Sequence, residues 1–429
     1  MAGTKCDTLT EREMEAYTAV LKEELKPALG CTEPISIAYG AAYARTLLGK
    51  MPDTCEILCS GNIIKNVKAV TVPETGGLKG IEAAVLAGAL CQKAELGMEV
   101  LSAMTEEKRQ KLIQLLQQNI VKTGILDTAH PLHFILTMKA GDDSVSLEII
   151  DSHMNLGEVW KNKKRCRRLE EKIQQDSKEG EEHFSIRKIF CYACQADLEE
   201  VSELLRRQVS CNMAIAREGM KHAWGASVGP VLLQRDDDIY SRICAATAAG
   251  SDARMNGCPL PVVINSGSGN QGLTVSVPVV MYVQYRNCPE ELMLRALCVS
   301  NLIAIYQKRS IGKLSAFCGA VSAAAAAVCG IAFLDGCEPE ILERTLVNTV
   351  ASVGGMVCDG AKSSCAAKIA AALFSALLGY DMAKQGRTFP PGEGIVGENA
   401  DRTVENIGRM AACGMKGTDR EILKIMLGE

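Results

Sequence analysis

Aromatic side chains are scarce in this chain: two Trp, seven Phe and nine Tyr make up 4% of its 429 residues. A sizeable core must therefore be built from Ala, Val, Ile, Leu, Met and Cys, which favours closely packed helices. A basic excess is missing too. Lys and Arg number 47 against 51 Asp and Glu, for a formal net charge of −4 and a pI near 5.9. No basic face is left over to neutralise phosphates, so nucleic acid is excluded as the expected partner and a small molecule takes its place. Histidine is nearly absent. The five present are scattered, His130 and His133 do not make the zincin pattern, and no serine–histidine or histidine–metal constellation is visible.

A secretory start is lacking. MAGTKCDTLTEREMEAY is polar and acidic where a signal needs a basic start and an apolar run, so a cytoplasmic protein is expected. Long hydrophobic runs are lacking as well, with one exception at 314–334, LSAFCGAVSAAAAAVCGIAFL, 21 residues without a charge. Ala, Gly, Ser and Cys dominate it. Its apolarity per residue is low for a membrane span, and a buried helix among close neighbours is the expectation; no membrane is expected to be involved.

Cysteine, by contrast, is abundant, with 19 residues. A reducing compartment argues against disulfides, and most of these thiols read as small core hydrophobes. Three fall where element ends meet. Cys318 lies near the start of one helix, and Cys358 and Cys365 flank the turn in MVCDGAKSSCAAKIA (356–370) that leads into another. Thiolates at helix N-termini are stabilised by the dipole and suit zinc or an iron–sulfur cluster. On spacing alone, packing is the favoured reading over a metal, because a chain with 19 cysteines throws up such pairs by chance.

Cys31 in GCTEP (30–34) sits between a glycine and a helix start, where its pKa is expected to fall and its sulfur to serve as nucleophile, base or ligand; a plain loop thiol is the alternative. Glu33 on the same turn could simply cap its helix. NSGSGNQG (265–272) offers consecutive N–H groups for a carboxylate or phosphate, with Asn265, Asn270 and Gln271 as amide donors. It lacks the lysine and the context of a nucleotide loop, and an ordinary flexible loop competes. SGNIIKN (60–66) is a similar polar loop carrying Lys65. Cys191-x-x-Cys194 lies in an alternating segment with no second pair at finger spacing and reads as core packing in a strand.

Periodicity predicts an α+β fold: a mainly helical body with a smaller inserted α+β unit, divided as 1–97, 98–200 and 201–429. Helices are expected over 10–26, from Pro34 onward, and over 78–91 and 105–121; strands over 56–58, 69–72 and 184–193. A hairpin is expected in HFILTMKA–GDD–SVSLEIID, and a solvated charged segment over 161–182. Further helices are expected over 198–217, 239–249, 290–307, 315–333, 338–352 and 363–379, interrupted by Gly-rich loops at 248–257 and 265–272. The small-residue helices point to a homodimer.

Taken in order, GCTEPISIAYGAA (30–42), SGNIIKNVKAVTVPETGGLKGI (60–81), SDARMNG (251–257), NSGSGNQG (265–272) and SVGGMVCDGAKSSCAAKI (352–369) resemble the L-cysteine desulfidases, iron–sulfur relatives of the bacterial L-serine dehydratase α-chain. Residues 98–200 carry little of the likeness. The resemblance implies an oxygen-sensitive, pyridoxal-phosphate-independent 4Fe-4S lyase, with the cluster held by Cys318, Cys358 and Cys365 and one iron open to the substrate. It places Cys31 near that iron, as the first choice of base for the α-proton, with Glu33 beside it and Lys65 as a second choice. Thr32, Asn62, Asn270 and Gln271 would bind the amino acid, which would leave as sulfide, pyruvate and ammonia. Two other readings stand beside it: an L-serine dehydratase, against which GCTEP in place of a serine-rich loop argues, and a non-catalytic cysteine-rich protein that binds metal or amino acid.

Overall fold

The computed structural model describes residues 6–167, 184–312 and 315–429. Helix α1, Glu11–Glu24, starts on a capping box: Thr10 accepts from the Glu13 N–H while the Glu13 carboxylate accepts from the Thr10 N–H. Pro27 ends it, and the chain runs extended as β1, Pro27–Leu29, before Gly30 turns it into α2, Thr32–Leu48. Then follow β2, Thr54–Cys59, α3, Gly61–Val67, α4, Ile81–Cys91, and α5, Glu106–Gln117.

The strands β3, Val121–Ile125, β4, His133–Ala140, β5, Asp143–Ile150, β6, Leu156–Lys161, and β7, Lys164–Arg167, join β2 in a six-stranded sheet of order β3-β2-β4-β5-β6-β7. Only β2 and β3 are parallel. The expected hairpin is β4–β5. Its alternation works as period 2 requires: Phe134, Leu136 and Met138 with Val145, Leu147 and Ile149 point inward, against α2.

The helical body follows: α6, Ile186–Gln195, α7, Glu199–Lys221, α8, Val228–Leu233, and α9, Ile239–Met255. A short strand β8, Pro261–Val263, pairs antiparallel with β1 and is followed by α10, Gly269–Arg286. The rest is α11, Glu290–Ile311, α12, Gly319–Leu334, α13, Pro339–Val353, α14, Ser364–Lys384, α15, Ala400–Arg409, and α16, Lys416–Leu427. Helix α12 is the axle of this body. Residues 320–334 are all buried, and it touches α10, α11, α13 and α14. That matches the buried helix expected from the uncharged run, whose first residue, Leu314, lies outside the described residues. The α+β class is borne out.

Several local expectations are corrected. SGNIIKN is not a loop: Ile63, Ile64 and Val67 bury one face of α3. The strand expected over 69–72 reduces to a single bridge between Thr71 and Lys79. Residues 184–193 form no strand, because Ile186, Ile189, Phe190 and Ala193 stand at helical spacing and Ser185 caps the turn by accepting from the Lys188 N–H. Cys191 and Cys194 are thus on a helix, beside Cys6. Residues 248–255, expected in a loop, continue α9, and α10 was not foreseen at all. The sheet is not confined to 98–200: it takes β2 from before that segment and packs under α2 and α4, whereas α6 joins the helical body. Of the charged segment 161–182, the start lies in β6 and β7, and 168–182 lie outside the described residues.

Close helix packing depends on small residues at chosen points. A Cβ on Gly219 of α7 would stand 2.0 Å from the Ala249 carbonyl oxygen of α9, a backbone atom that cannot swing away. Gly219→Ala is therefore expected to lower stability by at least about 2 kcal/mol. Gly417→Ala in α16, whose Cβ meets nothing within 4 Å, should be neutral or stabilise by up to about 1 kcal/mol. Urea unfolding of both variants checks this; equal losses would refute the packing argument.

Candidate functional site

The β1–β8 pair holds the start of α2 next to the start of α10. Around the same point the first turns of α12 and α14 close a cavity of about 130 Å³. Its lining includes Cys31, Thr32, Glu33, Lys65, Asn66, Arg254, Asn270, Gln271, Lys308, Cys318, Cys358 and Cys365. Helix N-termini turned toward one space make it favourable for negative charge.

The three cysteines singled out by their positions are brought together here. Cys318 is the N-cap of α12, and its N–H donates to the Met356 carbonyl at 3.0 Å; the Cys358 N–H donates to the Ala316 carbonyl at 2.7 Å. These bonds flank the Phe317–Val357 bridge and set both thiols on one wall. Cys365 follows in the first turn of α14, its thiol 3.7 Å from the Gly360 carbonyl. Gly360 is required there: its φ is +97°, and a Cβ would sit 2.2 Å from the Lys65 carbonyl oxygen. In the same turn Asp359 is paired by Lys362 and Lys368; burial opposes its ionisation, but these bonds hold it at about 2.

Lys65 is 2% exposed and donates to the Asp419 carboxylate at 2.5 Å and to the Cys358 carbonyl at 3.3 Å. The other oxygen of Asp419 accepts from the Ala316 N–H at 3.0 Å. Lys65 is thus engaged as a clamp.

At the start of α2 the Cys31 thiol donates to Glu33 Oε2 at 3.1 Å, Thr32 Oγ1 to the same oxygen at 3.0 Å, and Asn66 Nδ2 to Glu33 Oε1 at 3.0 Å. The expected fall in the Cys31 pKa does not occur. Burial first, and the Glu33 charge second, push it well up, with Arg254 only partly offsetting them; at 3% exposure, desolvation outweighs the helix N-terminus. Glu33 moves the other way. Burial raises it, but the His153 charge and the donated bonds prevail and hold it below the usual range, so the pair rests as thiol and carboxylate.

Burial pushes Cys318 up to about 12, with Cys358 adding to it, and also raises Cys365. Among the described residues no three His, Cys, Asp or Glu side chains are grouped to ligate one metal ion. Three sulfur donors facing one cavity, without the tight grouping of a single-ion site, fit in their chemistry a cluster that takes one thiolate per iron.

Asn270 and Gln271 lie in the cavity, Asn270 accepting from Arg254 Nη1 at 3.2 Å and Gln271 with its buried Oε1 unpartnered. Asn62 does not. It lines a separate space of about 700 Å³ with His130 and Arg420, because α3 turns Asn66 and Lys65 toward the cysteines instead. Asn265 is committed to Asn301. Not singled out from the sequence were Asn66, His153, Arg254 and Lys308. Arg254 falls in SDARMNG, one of the segments carrying the resemblance. Lys308, whose pKa burial lowers, sits in the last turn of α11, where a lysine ordinarily signals nothing but a solvated end.

The family model described as serine dehydratase alpha chain matches residues 95–424. A UPF0597 protein of Lachnoclostridium phytofermentans is 47% identical over 411 residues, covering 95% of this chain and 98% of that protein. UPF0597 proteins of Finegoldia magna and Desulfitobacterium hafniense are 44% and 45% identical, covering 96% and 98% of this chain and 100% and 98% of their own lengths. With most of its length matched, the chain belongs to the serine dehydratase alpha-chain family, and lyase-type chemistry is the function this membership indicates.

Proposed function

We propose that the protein is a 4Fe-4S-dependent, pyridoxal-phosphate-independent lyase that eliminates sulfide from L-cysteine to leave pyruvate and ammonia. One observation carries the reading: the Cys31–Glu33 pair opens on the same cavity as Cys318, Cys358 and Cys365. Those three cysteines would hold the cluster, which when bound supplies a Lewis acid for the departing sulfur.

The chain's own part is proton handling and positioning. Cys31 takes the α-hydrogen as a proton once its own thiol proton has passed to Glu33, a transfer that runs against the resting state of the pair and that the Arg254 charge beside the thiolate favours. The electron pair of the C–H bond forms the Cα=Cβ bond, and the Cβ–S bond breaks with its pair on sulfur. The aminoacrylate gains at Cβ the proton that Cys31 took, Glu33 returns its proton to Cys31, and the resulting imine takes up water to give pyruvate and ammonia. Thr32 and Asn66 keep Glu33 in register, and Asn270 and Gln271 face the amino acid. A second reading, loss of water from L-serine, is favoured by the description of the matched family.

The deciding experiment is sulfide and pyruvate release from L-cysteine by the anaerobically reconstituted protein without pyridoxal phosphate. Equal amounts of both are expected; pyruvate from L-serine with no sulfide from L-cysteine would select the second reading. Cys358→Ala should lose iron and visible absorbance, and full retention would remove it as a ligand. Cys31→Ala should keep the absorbance and lose turnover at least about 100-fold; an active variant would dismiss it as the base. Asp419→Ala leaves Lys65 unpaired and is expected to cost about 1–3 kcal/mol and to speed iron loss in air; wild-type bleaching would show the clamp to be dispensable.

A further inference from the structure

Among the described residues, two basic side chains of the cavity make no ion pair with an acid. Lys308 is 6% exposed and Arg254 3%, and neither forms an ion pair among the described residues. Lys308 has no side-chain hydrogen bond there, while Arg254 makes a single one, to Asn270, and keeps its Nε buried without a partner. Lys65, by comparison, is matched by Asp419. Glu33, the buried carboxylate of the cavity, is occupied by Cys31, Thr32 and Asn66. Unpaired buried charge is costly, and a fold that keeps two such groups facing one small space keeps them for a charge that arrives from outside.

The surroundings say what kind of charge. The start of α10 adds N–H groups with the same preference: Gly269 lies so close that a Cβ there would be 2.3 Å from Arg254 Nε. Beside it Gln271 Oε1 is a buried acceptor with no donor among the described residues. Basic side chains and a lone acceptor lining one cavity match a small zwitterion, with a carboxylate at one end and an ammonium at the other.

We infer that Lys308 and Arg254 together form the α-carboxylate clamp of the substrate site, so that the site accepts free amino acids and rejects the corresponding amines. The inference rests on the lyase reading for which amino acid reacts, but not for which group is bound. The rival role for Lys308 is a counter-charge to the cysteine thiolates, since Cys358 and Cys318 are its strongest electrostatic neighbours.

Calorimetry on the anaerobic, cluster-loaded protein separates these roles, with L-alanine as a probe that cannot eliminate and ethylamine as its carboxylate-free counterpart. Wild type is expected to bind L-alanine and to bind ethylamine at least about 10-fold more weakly. Lys308→Met should weaken L-alanine by about 10- to 100-fold with iron content and visible spectrum unchanged, and raise KM for L-cysteine more than it lowers kcat. Lys308→Arg should restore part of the affinity. Unchanged L-alanine affinity in Lys308→Met, or equal binding of both probes by wild type, overturns the clamp; lost iron with unchanged affinity assigns Lys308 to the thiolates. Should Lys308→Met fail to fold, Arg254→Lys and Lys308→Arg provide the same comparison, both expected to weaken L-alanine more than ethylamine. Loss of L-alanine binding in the variants of a protein that releases no sulfide would uphold the clamp and fail the desulfidase reading.

Discussion

The ammonium of Lys65 ties together parts of the chain that are remote in sequence. It reaches the Cys358 carbonyl and the Asp419 carboxylate, and Asp419 in turn takes the Ala316 N–H. The wall bearing Cys318 and Cys358 is thereby fastened to α3 on one side and to α16 on the other. A buried ammonium tolerates this position only with its partners in place. The last helix is thus part of the site's frame, and the close passage of Lys65 over Gly360 fixes the turn that delivers Cys365.

The second constraint is charge. The starts of α2, α10, α12 and α14 meet at one cavity, and Arg254 and Lys308 add two basic side chains, the charge of Lys308 being opposed by its burial. Against these stand Glu33 and thiols that burial keeps protonated. Such a space is poised for anions. The same low-dielectric setting explains why Cys31 and Glu33 behave as a pair, since neither can change its proton without the other responding.

Much of this was legible in the residues. The α+β class, the β4–β5 hairpin and the helices carrying the cysteines all follow from periodicities strong enough to survive packing. That Cys31 and Cys318 lie near helix starts was also readable, from Gly30 and from the apolar run after Cys318; that both are N-caps came from the structure. Short segments were less so. FSIRKIFCYA alternates like a strand yet also satisfies helical spacing, and only the apolar surfaces of α11 and α13 decide between them. SGNIIKN looked polar because its apolar residues are few, although Ile63, Ile64 and Val67 suffice for a short helix against its neighbours and Ser60, Lys65 and Asn66 are buried with them.

By itself the amino-acid order determined where several of the longer helices start, which face of the hairpin is apolar, and which cysteines stand at element ends, because these depend on spacing along the chain. Tertiary structure alone decided that Cys31 is a buried thiol bonded to Glu33, that Asn62 turns away while Asn66 turns in, and that Lys308 is buried against the cavity with no ion pair among the described residues. Desolvation and pairing depend on what surrounds a group in space, and those surroundings come from segments tens to hundreds of residues away.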